Sequence, residues 1–156
     1  MSDDNAFRFL HPGQLVDGDL ELILAKKRPA DSSRGYAPSY EFAMRPVGQN
    51  TNMGNISLRI GNDENLEKYA GHIGYNVMPA YRGHRYAARS CQLILPLARR
   101  HGINPIWITC NPDNIGSRRT CEIVGAKFVE TVEVPRKFYH LYKQSDRIKR
   151  RYRIDF

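Results

Sequence analysis

The stretch HIGYNVM at 72–78 alternates as a strand and stops at Pro79, and within a few residues RGHR at 82–85 leads into a helical pattern. This junction constrains the fold more than any other feature of the chain. Basic side chains at a helix N-terminus oppose the macrodipole, which favours anions there. The arrangement is tolerable if an anion fills the site, because the first turn of a helix presents unpaired backbone N–H groups to it. Beyond the helical pattern a Gly stop in HGI precedes PIWITC (105–110), a nearly continuous apolar run of the kind that forms a strand buried on both faces. A strand, a helix and a second buried strand predict a parallel pair joined by a crossover, with a ligand site at its carboxyl end.

The remaining elements follow from local patterns. DGDLELIL (17–24) reads as a strand entered by a turn at Asp17–Gly18, and YEFAMRP (40–46) and NISLRIG (55–61) as two more. The segment 25–39 is rich in Pro, Gly and Ser and reads as a loop. The helix spans roughly 85–101, with Ala87, Ser90, Leu93 or Ile94, and Leu97 on one face; Pro96 is expected to kink or shorten it. Asp113 is the expected cap of a second helix carrying Ser117, Cys121 and Val124 inward, with Gly125 at its end. KFVETVEV (127–134) and 148–154 close the chain as strands, with a further extended piece expected at 137–142. The fold class is therefore mixed α+β: a mostly antiparallel twisted sheet of six or seven strands with flanking helices. Strands four (72–78) and five (105–110) are expected to form a parallel pair within it.

Length and charge bound the alternatives. The 156 residues fit one domain, 1–156. No apolar run approaches the ~20 residues of a membrane span, and the N-terminus lacks the apolar core of a signal peptide. Three cysteines, in no metal-binding spacing, point to reduced thiols in a cytoplasm and to no metal. The net charge of +8 admits a polyanion partner. A solvated surface is the simpler reading, since no aromatic–basic repeat or recognition helix accompanies it. In IKRRYRI, Ile148, Tyr152 and Ile154 alternate with Lys149, Arg151 and Arg153, which predicts a closing strand with one wet basic face. Neither nucleic acid nor a membrane is an expected partner.

GHIGYNVMPAYRGHRYAARS and NPDNIGSRRTCEIVGAKF resemble, in order and separation, two elements of the GNAT superfamily of acetyl-CoA-dependent N-acetyltransferases. The first is similar to the family's fourth strand and pyrophosphate loop, the second to its Asn-containing helix and following strand. The resemblance covers about 55–154. It implies acetyl-CoA as co-substrate, its diphosphate held by the loop Arg82, Gly83, His84, Arg85, Tyr86 and Ala87. It also implies that strands four and five are a splayed parallel pair, with a pantetheine arm paired with the main chain of Tyr75, Asn76, Val77 and Met78 and touched by Asn114 and Ser117. Arg85 stands where the family motif has its first Gly; a helical N1 or N2 position would accept it without strain.

The implied reaction is direct attack of a neutral primary amine on the thioester in a ternary complex. The resemblance implies an oxyanion donor from the backbone of Val77 or Met78. The family's acid, a Tyr seven residues beyond the Asn, falls at Cys121, which is either a thiol acid or a buried packing residue. Ser117 or water is the other candidate, and Tyr86, Tyr139 and Tyr142 have no positional support. His72, at the start of strand four, is either the base or a structural or exposed histidine, the latter being the simpler reading; Glu41, Glu67 or a water relay are the alternative bases. The acceptor, a small molecule or a peptide, is not legible. The short 25–39 segment leaves its cleft open or completed by a partner chain, so a homodimer formed away from the 82–85 loop is admitted. The alternative reading is a non-catalytic acyl-CoA-binding or regulatory module, motivated by Arg85 and the missing Tyr.

Overall fold

The structure is a computed structural model that describes residues 7–156. Eight strands and two longer helices follow one another as β1 (Leu15–Asp17), β2 (Leu20–Arg28), β3 (Ser39–Pro46), β4 (Gly54–Arg59), β5 (Ile73–Val77), α1 (Tyr86–Arg100), β6 (Ile106–Cys110), α2 (Ile115–Ile123), β7 (Lys127–Glu133) and β8 (Ile148–Ile154). Strands β1 to β5 form one antiparallel sheet in sequence order, and β6, β8 and β7 form a second. Strands four and five of the sequence reading are β5 and β6. The expected turn at Asp17–Gly18 is present, with Gly18 at φ 58°, but it joins two strands, β1 and β2, rather than opening the first.

Alternation decides which face is buried. Tyr40, Phe42 and Met44 of β3 are fully buried, and so are Ile56 and Leu58 of β4. They share one core with Cys91, Ile94, Leu97 and Ala98 of α1 and with Ile106 and Ile108 of β6. Each such large side chain contributes roughly 1.5–3 kcal/mol by leaving water. That packing explains why α1 runs unbroken through Pro96, contrary to the expected kink or shortening. Proline in a helix interior costs about 3 kcal/mol, and Ile94, Leu97 and Ala98 around it outweigh that. The opposite face of the large sheet carries Ser39, Glu41, Ser57, Arg59 and Gly74, which are half-buried and mostly polar.

Three further expectations are corrected. Asn114, not Asp113, caps α2: its side chain accepts from Ser117 N–H at 3.1 Å. The stretch at 137–142 lies mainly in a helical turn, Arg136–Leu141, not an extended piece. The basic face of β8 is not uniformly wet. Arg151 is buried, with its guanidinium 3.9 Å from the Trp107 ring centre and paired with Glu130. The indole of β6 lies on that face and stacks the cation, so parity alone did not predict exposure.

Candidate active site

The site is built where β5 and β6 part. Both strands start at the same end, where His72 N–H donates to Trp107 C=O at 2.7 Å, and no ladder joins them beyond it. On its other side β5 pairs with β4, and Met78 N–H donates to Met53 C=O at 2.9 Å. Hydrogen-bonded and non-bonded positions alternate in an antiparallel ladder. The register then turns the N–H and C=O groups of Tyr75 and Val77 away from β4, toward the opening. Of the two expected oxyanion donors, Met78 is therefore spent inside the sheet and Val77 keeps its N–H. The Val77 carbonyl accepts from Arg82 Nε at 2.9 Å, so Arg82 fastens the loop to the end of the strand.

Beyond β5 the chain makes one tight turn, Pro79–Tyr81, and enters α1. Gly83 has φ 91° and Arg85, the N-cap, has φ 61° and ψ 25°. Arg85 thus sits in the left-handed region, not at an unstrained N1 or N2 position; this corrects the expectation, and the lost family Gly is replaced at a conformational cost. Among the described residues the N–H groups of Gly83, His84, Arg85, Tyr86 and Ala87 have no backbone partner, and no side chain caps the helix. Consecutive unpaired donors at the start of a 15-residue helix suit an anion with several oxygens, as a diphosphate has.

At the meeting of β5, β6 and α2, Tyr75 Oη lies 2.7 Å from Ser117 Oγ and 3.9 Å from Cys121 Sγ. Burial and the neighbouring thiols raise the Tyr75 phenol far above its usual value, so it holds its proton. Cys121 is fully buried. Its hydrogen bond with Cys110, and then burial, push its thiol up. Cys110 is the more acidic partner, drawn down chiefly by the hydrogen bond from Cys121, with help from Ser117 and the Arg150 and Arg118 charges. The phenol beside the expected acid position thus comes from β5 rather than α2. Sequence reasoning assigned Tyr75 a main-chain role and missed its hydroxyl; nothing in a single strand residue reports how far its side chain reaches across the splay.

His72 is taken up by the fold itself. It is buried, its Nδ1 accepts from Trp107 N–H at 2.9 Å, and its Nε2 donates to Gly61 C=O at 3.0 Å. Both ring nitrogens are engaged, and burial lowers its pKa. It clamps β4, β5 and β6 together as a neutral imidazole. Glu41 lies 3.6 Å from Arg28 in an ion pair.

A cleft of about 610 Å³ opens along the polar face of the large sheet and reaches Tyr75, Cys110, Asn114 and Ser117. Its far wall includes Gly35, Tyr36 and Ala37, because 29–38 folds into a compact turn closed by the Asp31–Tyr36 bridge. The segment expected to leave the cleft open therefore lines one side of it. Neither His72, Glu41 nor Glu67 lines the cleft, whereas Asp63, Tyr142, Asp146 and Lys149 do.

A family model described as acetyltransferase (GNAT) domain matches residues 1–127, most of the chain. The chain belongs to the GNAT acetyltransferase family. No curated protein matches it in sequence. Among solved structures, this GNAT domain is similar to a putative ribosomal-protein-serine acetyltransferase from Vibrio cholerae. The TM-score is 0.66 at 15% identity, over 94% of this chain and 100% of the other. It is also similar to the ribosomal L7/L12 alpha-N-protein acetyltransferase RimL in complex with coenzyme A, with TM-score 0.65 and 17% identity, over 92% and 98% of the two chains. A microcin C7 self-immunity acetyltransferase, in complex with acetyl-CoA and AMP, gives TM-score 0.58 at 15% identity over 76% of this chain. The GNAT chain spans 61% of that protein's length. At such identities the likeness is one of fold. Among the described residues no group of three or more His, Cys, Asp or Glu is placed to hold a metal, and no helix is long and apolar enough to cross a membrane.

Proposed function

We propose that this chain, acting as a single domain over 1–156, transfers the acetyl group of acetyl-CoA to a primary amine by direct attack in a ternary complex. The observation that carries the reading is the splay of β5 from β6 beside the unpaired N–H groups at 83–87. A long co-substrate with a diphosphate at one end and amides along its arm fits that combination. Backbone donors at 83–87 would hold the diphosphate, with Arg82, His84 and Arg85 as nearby basic side chains, and the strand edge at Tyr75–Met78 would pair with the arm. Asn114 lines the cleft beside the arm's path, its Oδ1 already used in the cap. Bound acetyl-CoA would supply an activated thioester.

The protein's own groups then act on charge and protons. The Val77 N–H is the free donor for an oxygen that gains negative charge beside β5. The Tyr75 and Ser117 hydroxyls, in mutual contact, hold a proton close to the place where a thiolate would depart. Such a donor is worth roughly 10²–10⁴ in rate. Cys121 packs behind them. Three unpaired cysteines fit a reducing compartment such as the cytoplasm.

The non-catalytic reading is favoured by two observations, the strained Arg85 in the loop and the buried thiol at the acid position. A CoA-release assay over a panel of primary amines, run beside calorimetry with acetyl-CoA, separates the two. Amine-dependent release supports transfer. Tight binding without release for any amine supports the binding module.

A further inference from the structure

Among the described residues, the cleft contains a cation without a counter-ion. Arg59, on the polar face of β4, lines it together with Lys149 of β8. The Arg59 Nη1 donates to the carbonyls of Ala70 and Gly71 at 3.3 and 3.1 Å, which fixes the guanidinium in place. Among the described residues it forms no ion pair, and its Nε and Nη2 donate to no protein group. Space for it is reserved in the sheet. A Cβ on Gly74 of β5 would lie 2.7 Å from Arg59 Nη2, so only a glycine leaves the guanidinium where it is. Lys149 Nζ donates to Asn111 Oδ1 at 3.0 Å and likewise has no ion pair among the described residues. Each of the two cations is disfavoured by burial, and Arg59 further disfavours the charge on Lys149.

The cleft's carboxylates are committed elsewhere. Asp63 Oδ1 accepts from Leu66 N–H at 3.0 Å, where it starts a helical turn. Asp146 Oδ1 accepts from Asn111 Nδ2 at 2.7 Å and acts on Lys149 only at longer range. The remaining cation, Arg28, is taken by Glu41. A half-buried, immobilised guanidinium with unused donors, facing a cleft and lacking a carboxylate, has uncompensated charge that an anionic ligand would neutralise. Gly74, Tyr75 and Arg59 all line this one cleft, so an anion on the guanidinium and the splay beside Tyr75 open into the same space.

Resting on the acetyl-transfer reading, we infer that the acceptor is an anionic amine, whose carboxylate or phosphate docks on Arg59 and Lys149 while its amino group reaches the splay between β5 and β6. Arg59 is then a specificity-determining residue for the acceptor and has no role in holding acetyl-CoA.

The test is calorimetry on the CoA-saturated protein with three amines of similar size: 3-aminopropanoate, 2-aminoethyl phosphate and propylamine. At least one anionic amine should bind tenfold or more tightly than propylamine, and whichever it is names the oxyanion. Arg59→Met should abolish that preference while leaving CoA affinity unchanged. Gly74→Ala should do the same by displacing the guanidinium, with a thermal melt close to wild type, which separates loss of the anion site from loss of the fold. Equal binding of all three amines, binding of none, or a preference that survives in both variants would overturn the inference. Failure of the wild type to bind CoA would instead defeat the acetyl-transfer reading beneath it.

Discussion

Arg85 carries the clearest cost borne by a single residue. A non-glycine residue in the left-handed region is strained by roughly 1–2 kcal/mol, and Arg85 has φ 61° with no side-chain cap. Replacing it by the glycine of the family motif removes the strain and gives back some of it as backbone entropy, about 0.5–1 kcal/mol. Arg85→Gly should therefore raise stability by up to about 1.5 kcal/mol in urea denaturation; a loss would mean that the guanidinium makes a compensating contact. Cys121 and Tyr75 are separated by the opposite kind of test. Cys121→Ala removes a fully buried sulfur and should cost about 1–2 kcal/mol of stability, as small core truncations do, with turnover kept within tenfold. Tyr75→Phe keeps the ring and deletes only the hydroxyl at 2.7 Å from Ser117 Oγ. It should lower kcat by about tenfold or more with acetyl-CoA affinity retained. Steady-state kinetics on the two variants would refute the assignment if the losses were reversed.

At the scale of elements, His72 makes the junction of β4, β5 and β6 sensitive to acid. Burial, its largest perturbation, lowers its pKa in the folded chain, whereas the unfolded side chain titrates near ~6.5. The folded state thus refuses a proton that the unfolded state accepts. Its contribution is complete above ~6.5 and shrinks as pH falls below that value. His101, also lowered chiefly by burial, acts in the same direction. Urea midpoints should drop between pH 7.5 and 5.5, and His72→Gln should be less stable at pH 7.5 and show a shallower drop. An unchanged slope in that variant would place the acid sensitivity elsewhere. His72 also marks the limit of reading sites from sequence. Its position at the start of a strand matched that of a base, but a strand pattern does not say whether a ring faces solvent or two backbone groups. Asn114, expected beside the co-substrate, lines the cleft, and its cap role only emerged with the helix start. Arg151 was assigned to solvent by parity because the Trp107 indole beneath it belongs to another strand.

For the molecule as a whole, the order of elements was legible because each depends on local signals: alternation in β3 and β4, the apolar run of β6, the Gly stops at Gly102 and Gly125. The splay of β5 from β6 was legible only through the resemblance, since divergence of two strands leaves no mark on either. The acceptor cleft was not legible at all. It gathers residues from β2, β3, β4, β5, β6, β8, α2 and four connecting segments, and Arg59 gains its meaning from a glycine fifteen positions away. On the proposed function, the chain binds acetyl-CoA through backbone donors at the start of α1 and along β5. Amide hydrogen exchange measured residue by residue, with and without acetyl-CoA, tests it without knowledge of the acceptor. The amides of Gly83 to Ala87, together with Tyr75 and Val77, should exchange quickly in the free protein and become strongly protected when acetyl-CoA is added. Protection that appears elsewhere while those amides stay unprotected would contradict it.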